Sequence, residues 1–146
     1  MSTAVSVRSP SDVAALREAV IRLARRMRKH SGVGLTPSQL SALSTLARHG
    51  ALRVGDLAAR EQIGKSSVTR LVARLEALGL VARHPDATDA RSWRVELTRA
   101  GRELLATSSE QADAYLVRQL AALPEADQRR LVEALPALER LLDVKA

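Results

Sequence analysis

Residues 54–98 read V-G-D-L-A-A-R-E-Q-I-G-K-S-S-V-T-R-L-V-A-R-L-E-A-L-G-L-V-A-R-H-P-D-A-T-D-A-R-S-W-R-V-E-L-T. Taken with the helix period, the first half gives a short helix, a tight turn and a longer helix ending at Gly79. Taken with the strand period, the second half gives two short strands joined by a polar loop. Helix, turn, helix and a two-stranded wing is the arrangement of a winged-helix unit, whose second helix enters the major groove of DNA. The segments on either side read as scaffolding that holds two such units at a fixed spacing.

Within this stretch, Val54 to Glu61 is the first helix, with Leu57 and Ala58 facing inward. In the turn Gln62-Ile63-Gly64, Gln62 stands where the general motif has glycine, and Glu61 replaces a usually apolar neighbour. Ile63 still fills the inward position and Gly64 serves as the next N-cap. Lys65 to Leu78 is the candidate recognition helix. Val68, Leu71, Val72, Leu75 and Leu78 form its buried stripe, while Ser66, Ser67, Thr69 and Arg70 occupy its exposed N-terminal part. Arg74 follows one turn later. Small hydroxyl side chains let a helix sit deep in a groove, and Arg reaching guanine O6 and N7 discriminates by roughly 1–3 kcal/mol. The same hydroxyls would also suit an ordinary capped surface helix. The wing beside them favours the DNA reading.

In that wing, Leu80 and Val81 open a strand that Pro85 ends. Trp93, Val95 and Leu97 alternate with Ser92, Arg94 and Glu96, the pattern of a half-buried return strand. The intervening P-D-A-T-D-A-R-S is longer than a tight hairpin requires, and long loops are usually functional or mobile. A basic side chain there, such as Arg91, suits a narrow minor groove with its enhanced negative potential.

The flanks are helical. One helix starts at Ser9 or Ser11, with Pro10 in its first turn, and carries Val13, Leu16, Val20, Leu23 and Met27 as a narrow apolar stripe. It ends near Ser31-Gly32. The next has Thr36 as N-cap, Pro37 at the first position and Gln39 completing a capping box. Leu35 and Leu40 form its hydrophobic staple, Leu40, Leu43 and Leu46 its buried face, and Gly50 ends it. After the wing, Thr98 caps a helix with Gly101 in its first turn, continuing through Leu104, Leu105, Ala112, Tyr115, Leu116 and Leu120. The last helix starts weakly near Pro124-Glu125 and carries Leu131, Leu135, Leu138 and Leu142. Pro136 must kink it or start a new segment. These terminal helices have more apolar surface than a small winged helix covers, and a twofold mate is the simple way to bury it.

Composition agrees. At 146 residues the chain fits a single domain with a real core. Phe is absent and Trp93 and Tyr115 are the aromatics, so that core is Leu, Val, Ala and Ile. Without cysteine, disulfides, thiolate metal sites and thiol switches are excluded within this sequence. The first dozen residues lack a signal peptide's apolar run, and no run approaches the ~20 residues of a membrane span, so a soluble, cytoplasmic protein is expected. The net charge is +7, and the excess lies early: residues 1–35 hold seven basic and two acidic groups, 36–100 ten and six, 101–146 six and eight. A basic face beside a helix-turn-helix is what phosphate attraction needs. An Arg-rich proteome would also give a basic solvated face, since only three of the 23 basic residues are Lys.

Catalytic patterns are weak. His30, His49 and His84 lack metal-ligand spacing, and there is no Gly-rich phosphate loop or G-x-S-x-G turn. Asp86 and Asp89 read as braces for nearby Arg side chains. No enzyme activity and no cofactor are expected.

The segments L-A-A-R-E-Q, S-S-V-T-R-L-V-A-R-L-E-A-L-G-L-V and D-A-T-D-A-R-S-W-R-V-E-L-T-R-A-G closely resemble the MarR family of bacterial transcription regulators. The D-x-x-D-x-R wing followed by a strand and L-T-x-x-G is the most specific part. Glu61-Gln62 also looks like many members. The resemblance covers essentially the whole chain. It implies a mainly α protein with a small β-wing: a winged helix-turn-helix at 36–98, with dimerisation helices at 1–34 and 99–146. It further implies an obligate, triangular homodimer on a pseudo-palindromic operator in double-stranded DNA. Ser66, Ser67, Thr69, Arg70 and Arg74 would face the major groove, with Lys65 beside them in the expected DNA-binding set. On the wing, Arg91 would enter the minor groove, Asp89 would orient it, and Arg94 completes the expected set. Members commonly repress genes for efflux or degradation and release DNA on binding a small, often phenolic or anionic, effector. That pocket usually lies between the dimer helices and the winged helix, with Arg and His near the end of the first helix as candidates. The rival readings are a non-specific DNA binder, a winged-helix module that binds protein, and a ligand-insensitive regulator with no working pocket.

Overall fold

The computed structural model describes residues 9–144; the parts of the expected terminal regions on 1–8 and 145–146 lie outside the described residues. Helix α1 spans Pro10–His30, and Ser9 caps it by accepting from the Asp12 amide at 3.2 Å. Helix α2 (Pro37–His49) has the expected capping box in full. The Gln39 amide donates to Thr36 Oγ1 at 3.2 Å, and the Thr36 amide donates to Gln39 Oε1 at 2.9 Å. Two of the orphan donors of a helix start are thereby satisfied from local sequence alone. Gly50 ends α2 at φ 75, a backbone state that costs glycine little.

Next come a two-residue strand β1 (Leu52–Arg53), helix α3 (Val54–Glu61) and helix α4 (Lys65–Ala77). Strands β2 (Val81–Pro85) and β3 (Trp93–Leu97) form the wing hairpin. Helix α5 (Arg99–Ala121) is capped by Thr98, and α6 (Glu125–Glu133) and α7 (Leu135–Asp143) close the described chain. The break between α6 and α7 falls at Ala134, two residues before Pro136, so proline starts the new segment rather than kinking a continuous helix.

The sheet has three antiparallel strands in the order β1-β3-β2, where the sequence reading had two. In register, Leu52 faces Val95 and Arg53 faces Arg94 across β1 and β3, and Val81 faces Leu97 and Pro85 faces Trp93 across β2 and β3. Pro85, which has no amide hydrogen to donate, falls at the last residue of an edge strand, where no ladder bond is lost.

One core joins these elements. Ala42, Leu43 and Leu46 of α2, Leu57 and Ala58 of α3, and Val68, Val72 and Leu75 of α4 meet Leu80, Val81, Val95 and Leu97. Leu35, Leu52, Ile63 and Leu71 pack on its rim. Truncating a fully buried member such as Leu57 to Ala would cost about 2–5 kcal/mol. Leu40, expected on the buried face of α2, is half-buried.

Two expected core positions are corrected. Leu78 is 55% exposed, because α4 ends at Ala77 and Leu78 is its C-cap, pointing off the end of the stripe. Trp93 is 49% exposed although it shares a face with the buried Val95 and Leu97. The strand phase is as expected, but the wing outruns the core at that residue.

Helix α1 packs on α5, where the His30 and Tyr115 rings stack with centroids 4.2 Å apart. The stripe residues Val13, Leu16, Val20 and Leu23 remain exposed, as do Leu131, Leu135, Leu138 and Leu142 of α6 and α7. No helix of the described residues is long and apolar enough to cross a membrane.

Candidate nucleic-acid interface

Helix α4 is held by its buried stripe, and its opposite side is presented outward. Val68, Val72 and Leu75 are buried, whereas Lys65, Ser66, Ser67, Thr69, Arg70 and Arg74 are exposed. The turn that sets its angle depends on Gln62, which caps α3 in the left-handed region at φ 53. Glutamine thus adopts the conformation that glycine supplies in the general motif, and its amide still bonds back to Ala59 O at 3.2 Å. The turn geometry survives the substitution. Gly64 is the N-cap of α4, as expected, but it offers no side-chain acceptor. The first amides of α4 are therefore left to solvent or a ligand.

Thr69 Oγ1 donates to the Lys65 carbonyl at 2.8 Å. Its hydroxyl hydrogen is committed to the helix, so toward a base it offers an acceptor oxygen and a methyl group. Those groups suit the exocyclic amino groups of adenine or cytosine and the methyl of thymine.

The wing is organised by Asp86, whose side chain is 1% exposed. One carboxylate oxygen accepts from the Thr88 amide and the Thr88 hydroxyl, each at 3.0 Å. The other accepts from Arg53 Nε and lies 3.4 Å from Arg94 Nε. The Thr88 amide, followed by the Arg53 guanidinium, holds the Asp86 carboxyl well below the usual carboxylate range. The same pairing raises Arg53. Asp86 is therefore the brace that the sequence reading expected.

Asp89 engages the wing loop itself rather than bracing an Arg side chain. It accepts from the backbone amide of Arg91 at 3.0 Å and from the Ser92 hydroxyl at 2.9 Å. It fixes the loop backbone at the base of Arg91 and does not bond its guanidinium. Arg94, also in the expected set, donates from Nη1 to Ala51 O at 3.1 Å and shares Asp86. These contacts help hold β1 to the wing.

Between the start of α4 and the wing lies a cleft of about 480 Å³, walled by Arg53, Lys65, Thr69, Arg83, Arg91 and Trp93 among others. A shallower concavity of about 420 Å³ is lined by Lys65, Ser66, Thr69 and Arg70. Lys65 and Thr69 border both, so the two form one continuous surface. The sequence reading placed Arg91 and the α4 residues here. It missed Arg53, Arg83 and Trp93, which no short spacing marks, because they arrive from β1, β2 and β3. The three histidines are scattered: His30 on Tyr115, His49 on Arg60, and His84 near Glu96.

A three-stranded winged helix with a hydroxyl- and cation-bearing second helix defines a DNA-binding domain of the helix-turn-helix class. A sequence model of the MarR family matches residues 33–92. The HTH-type transcriptional regulator MT0903.1 of Mycobacterium tuberculosis is 36% identical over 126 residues, covering 86% of this chain and 88% of that protein. The HTH-type transcriptional repressor MdtR of Bacillus subtilis is 40% identical over 68 residues, 47% of this chain and 44% of that protein. Among solved structures, a transcriptional-regulator candidate from Pseudomonas aeruginosa PA01 superposes with a TM-score of 0.80 at 32% identity, covering 96% of this chain and all of that one. The chain belongs to the MarR family, whose members are DNA-binding transcription regulators and not enzymes.

Proposed function

We propose that the chain is a cytoplasmic, ligand-responsive repressor that binds a pseudo-palindromic operator as a homodimer. The observation that carries this reading is the division of α4 into a buried stripe and an exposed face of Ser66, Ser67, Thr69 and Arg70. In this reading Lys65 and Arg74 steady α4 on phosphates, and Arg91 extends from the wing toward the minor groove. Asp89 holds the loop from which Arg91 projects.

Dimerisation is supported by the apolar faces that a single chain leaves open on α1, α6 and α7. A second copy would cover them and set the two α4 helices on half-sites about one helical turn apart, roughly 10 bp centre to centre. Repression is supported by the name of MdtR and release by a small phenolic or anionic effector by the family resemblance.

Selection of sites from a random duplex library, followed by titration of the winner across salt, tests the reading. An inverted repeat bound well above random duplex is expected. Salt-sensitive binding without enrichment would reduce the function to charge-driven association.

A further inference from the structure

The cleft between α4 and the wing contains a tryptophan that a strand pattern would bury. Trp93 is 49% exposed, shares its face of β3 with the buried Val95 and Leu97, and lines the same cleft as Arg53, Lys65, Arg83 and Arg91. Four cations share this lining, Arg53 paired with Asp86, Arg83 paired with Glu76, and Lys65 and Arg91, while Asp56 is the acidic residue of the lining. An exposed indole amid cations presents a flat apolar face and one N–H donor. That combination fits a polyanion bearing apolar sugar edges better than a small inorganic ion.

Continuity with the recognition face identifies the occupant. Lys65 and Thr69 border both the cleft and the concavity in front of Arg70. With the exposed face of α4 in the major groove, the strand bordering that groove runs into the adjoining cleft. We propose that this cleft seats the phosphodiester backbone of one DNA strand, with the Trp93 indole against its deoxyribose edge and Lys65 and Arg53 facing its phosphates. Arg53 is pre-positioned for this by Asp86 and by Thr88, whose hydroxyl accepts from Arg53 Nη2 at 3.1 Å. Trp93 then contributes affinity without reading bases, since sugar and phosphate contacts set register and not sequence. The inference rests on the DNA-binding reading of α4.

Trp93 is the chain's single tryptophan, so the native protein carries its own probe. Its fluorescence and its accessibility to acrylamide are followed while a labelled duplex is titrated and binding is read separately by anisotropy of the label. Saturable protection of Trp93 in step with the anisotropy is expected. Trp93→Ala, checked for folding by circular dichroism, should weaken duplex binding several-fold on both selected and random sequence, and Trp93→Phe should recover part of the loss. Binding by anisotropy with unchanged Trp93 accessibility would overturn the proposal and leave DNA binding intact. Equal protection by inorganic phosphate alone would reassign the cleft to a small anion and overturn it. No anisotropy change with any duplex would overturn both the proposal and the reading beneath it.

Discussion

The buried carboxylate of Asp86, at the start of the wing loop, holds the guanidinium of Arg53 on strand β1, 33 residues earlier. The pair ties the shortest strand of the sheet to the loop that carries Arg91, so the position of the wing depends on it. Asp86→Ala removes the carboxylate shared by Arg53 and Arg94 and leaves two guanidinium groups facing each other's charge. Thermal melting should fall by several degrees, and duplex affinity should drop as the wing loosens. An unchanged melting curve would deny the pair its structural role.

Acid should expose the same interaction. The folded-state carboxyl of Asp86 titrates below its unfolded value of about 3.9, so its contribution is full above that value. It is lost progressively as pH falls below about 4 toward the depressed folded value. Urea unfolding measured along a descending pH series should show this decline, and Asp86→Asn should show a shallower one over the same window.

Arg91 and Arg70 should separate into two kinds of contact. Arg91→Ala should weaken duplex binding and lower the salt slope by about one phosphate equivalent, because a wing cation releases counterions. Arg70→Ala should instead relax base preference at one operator position, by roughly 1–3 kcal/mol. Titrations of matched and single-mismatch duplexes across salt read both effects. A uniform loss across sequences for Arg70→Ala would count against base readout.

Gln62 occupies the left-handed region at φ 53, a conformation that costs a non-glycine residue roughly 1–2 kcal/mol. Gln62→Gly removes that cost but adds freedom to the unfolded chain, so a net stabilisation of about 0.5–1 kcal/mol is expected. Chemical denaturation at neutral pH measures it. A destabilised variant would mean the glutamine side chain contributes something beyond the turn.

Gly101 is required for a different reason. A Cβ there would collide with the carbonyl oxygen of Leu80, which also accepts from the Thr98 amide at 3.1 Å. Because that obstacle is backbone already engaged in a hydrogen bond, it cannot yield cheaply. Gly101→Ala should destabilise by about 1–3 kcal/mol, read by the same denaturation experiment.

Some of the architecture was legible because it is written in local chemistry. Thr36, Pro37 and Gln39 satisfy the first amides of α2 among themselves, so the cap needs no tertiary information. The stripe of Val68, Val72 and Leu75 follows from helical periodicity, and with it the exposure of Ser66, Ser67, Thr69 and Arg70. Pro136 announced the break that separates α6 from α7. Each of these signals spans a few residues, within the range over which backbone geometry relates neighbours.

Other features were settled only when distant segments met. Leu52–Arg53 is too short to carry a strand pattern, and it is a strand because β3 presents an edge with Val95 and Arg94 in register. Trp93 obeys the strand alternation yet stays open, because burial depends on what stands opposite and the core ends at Val95. Arg53, Lys65, Arg83 and Trp93 come from four separate elements into one cleft. Periodicity fixes which way a side chain points along its own element, and the local sequence determined that much. Which surfaces face each other across space was decided by packing, because contact energies act between segments whose sequence separation carries no pattern.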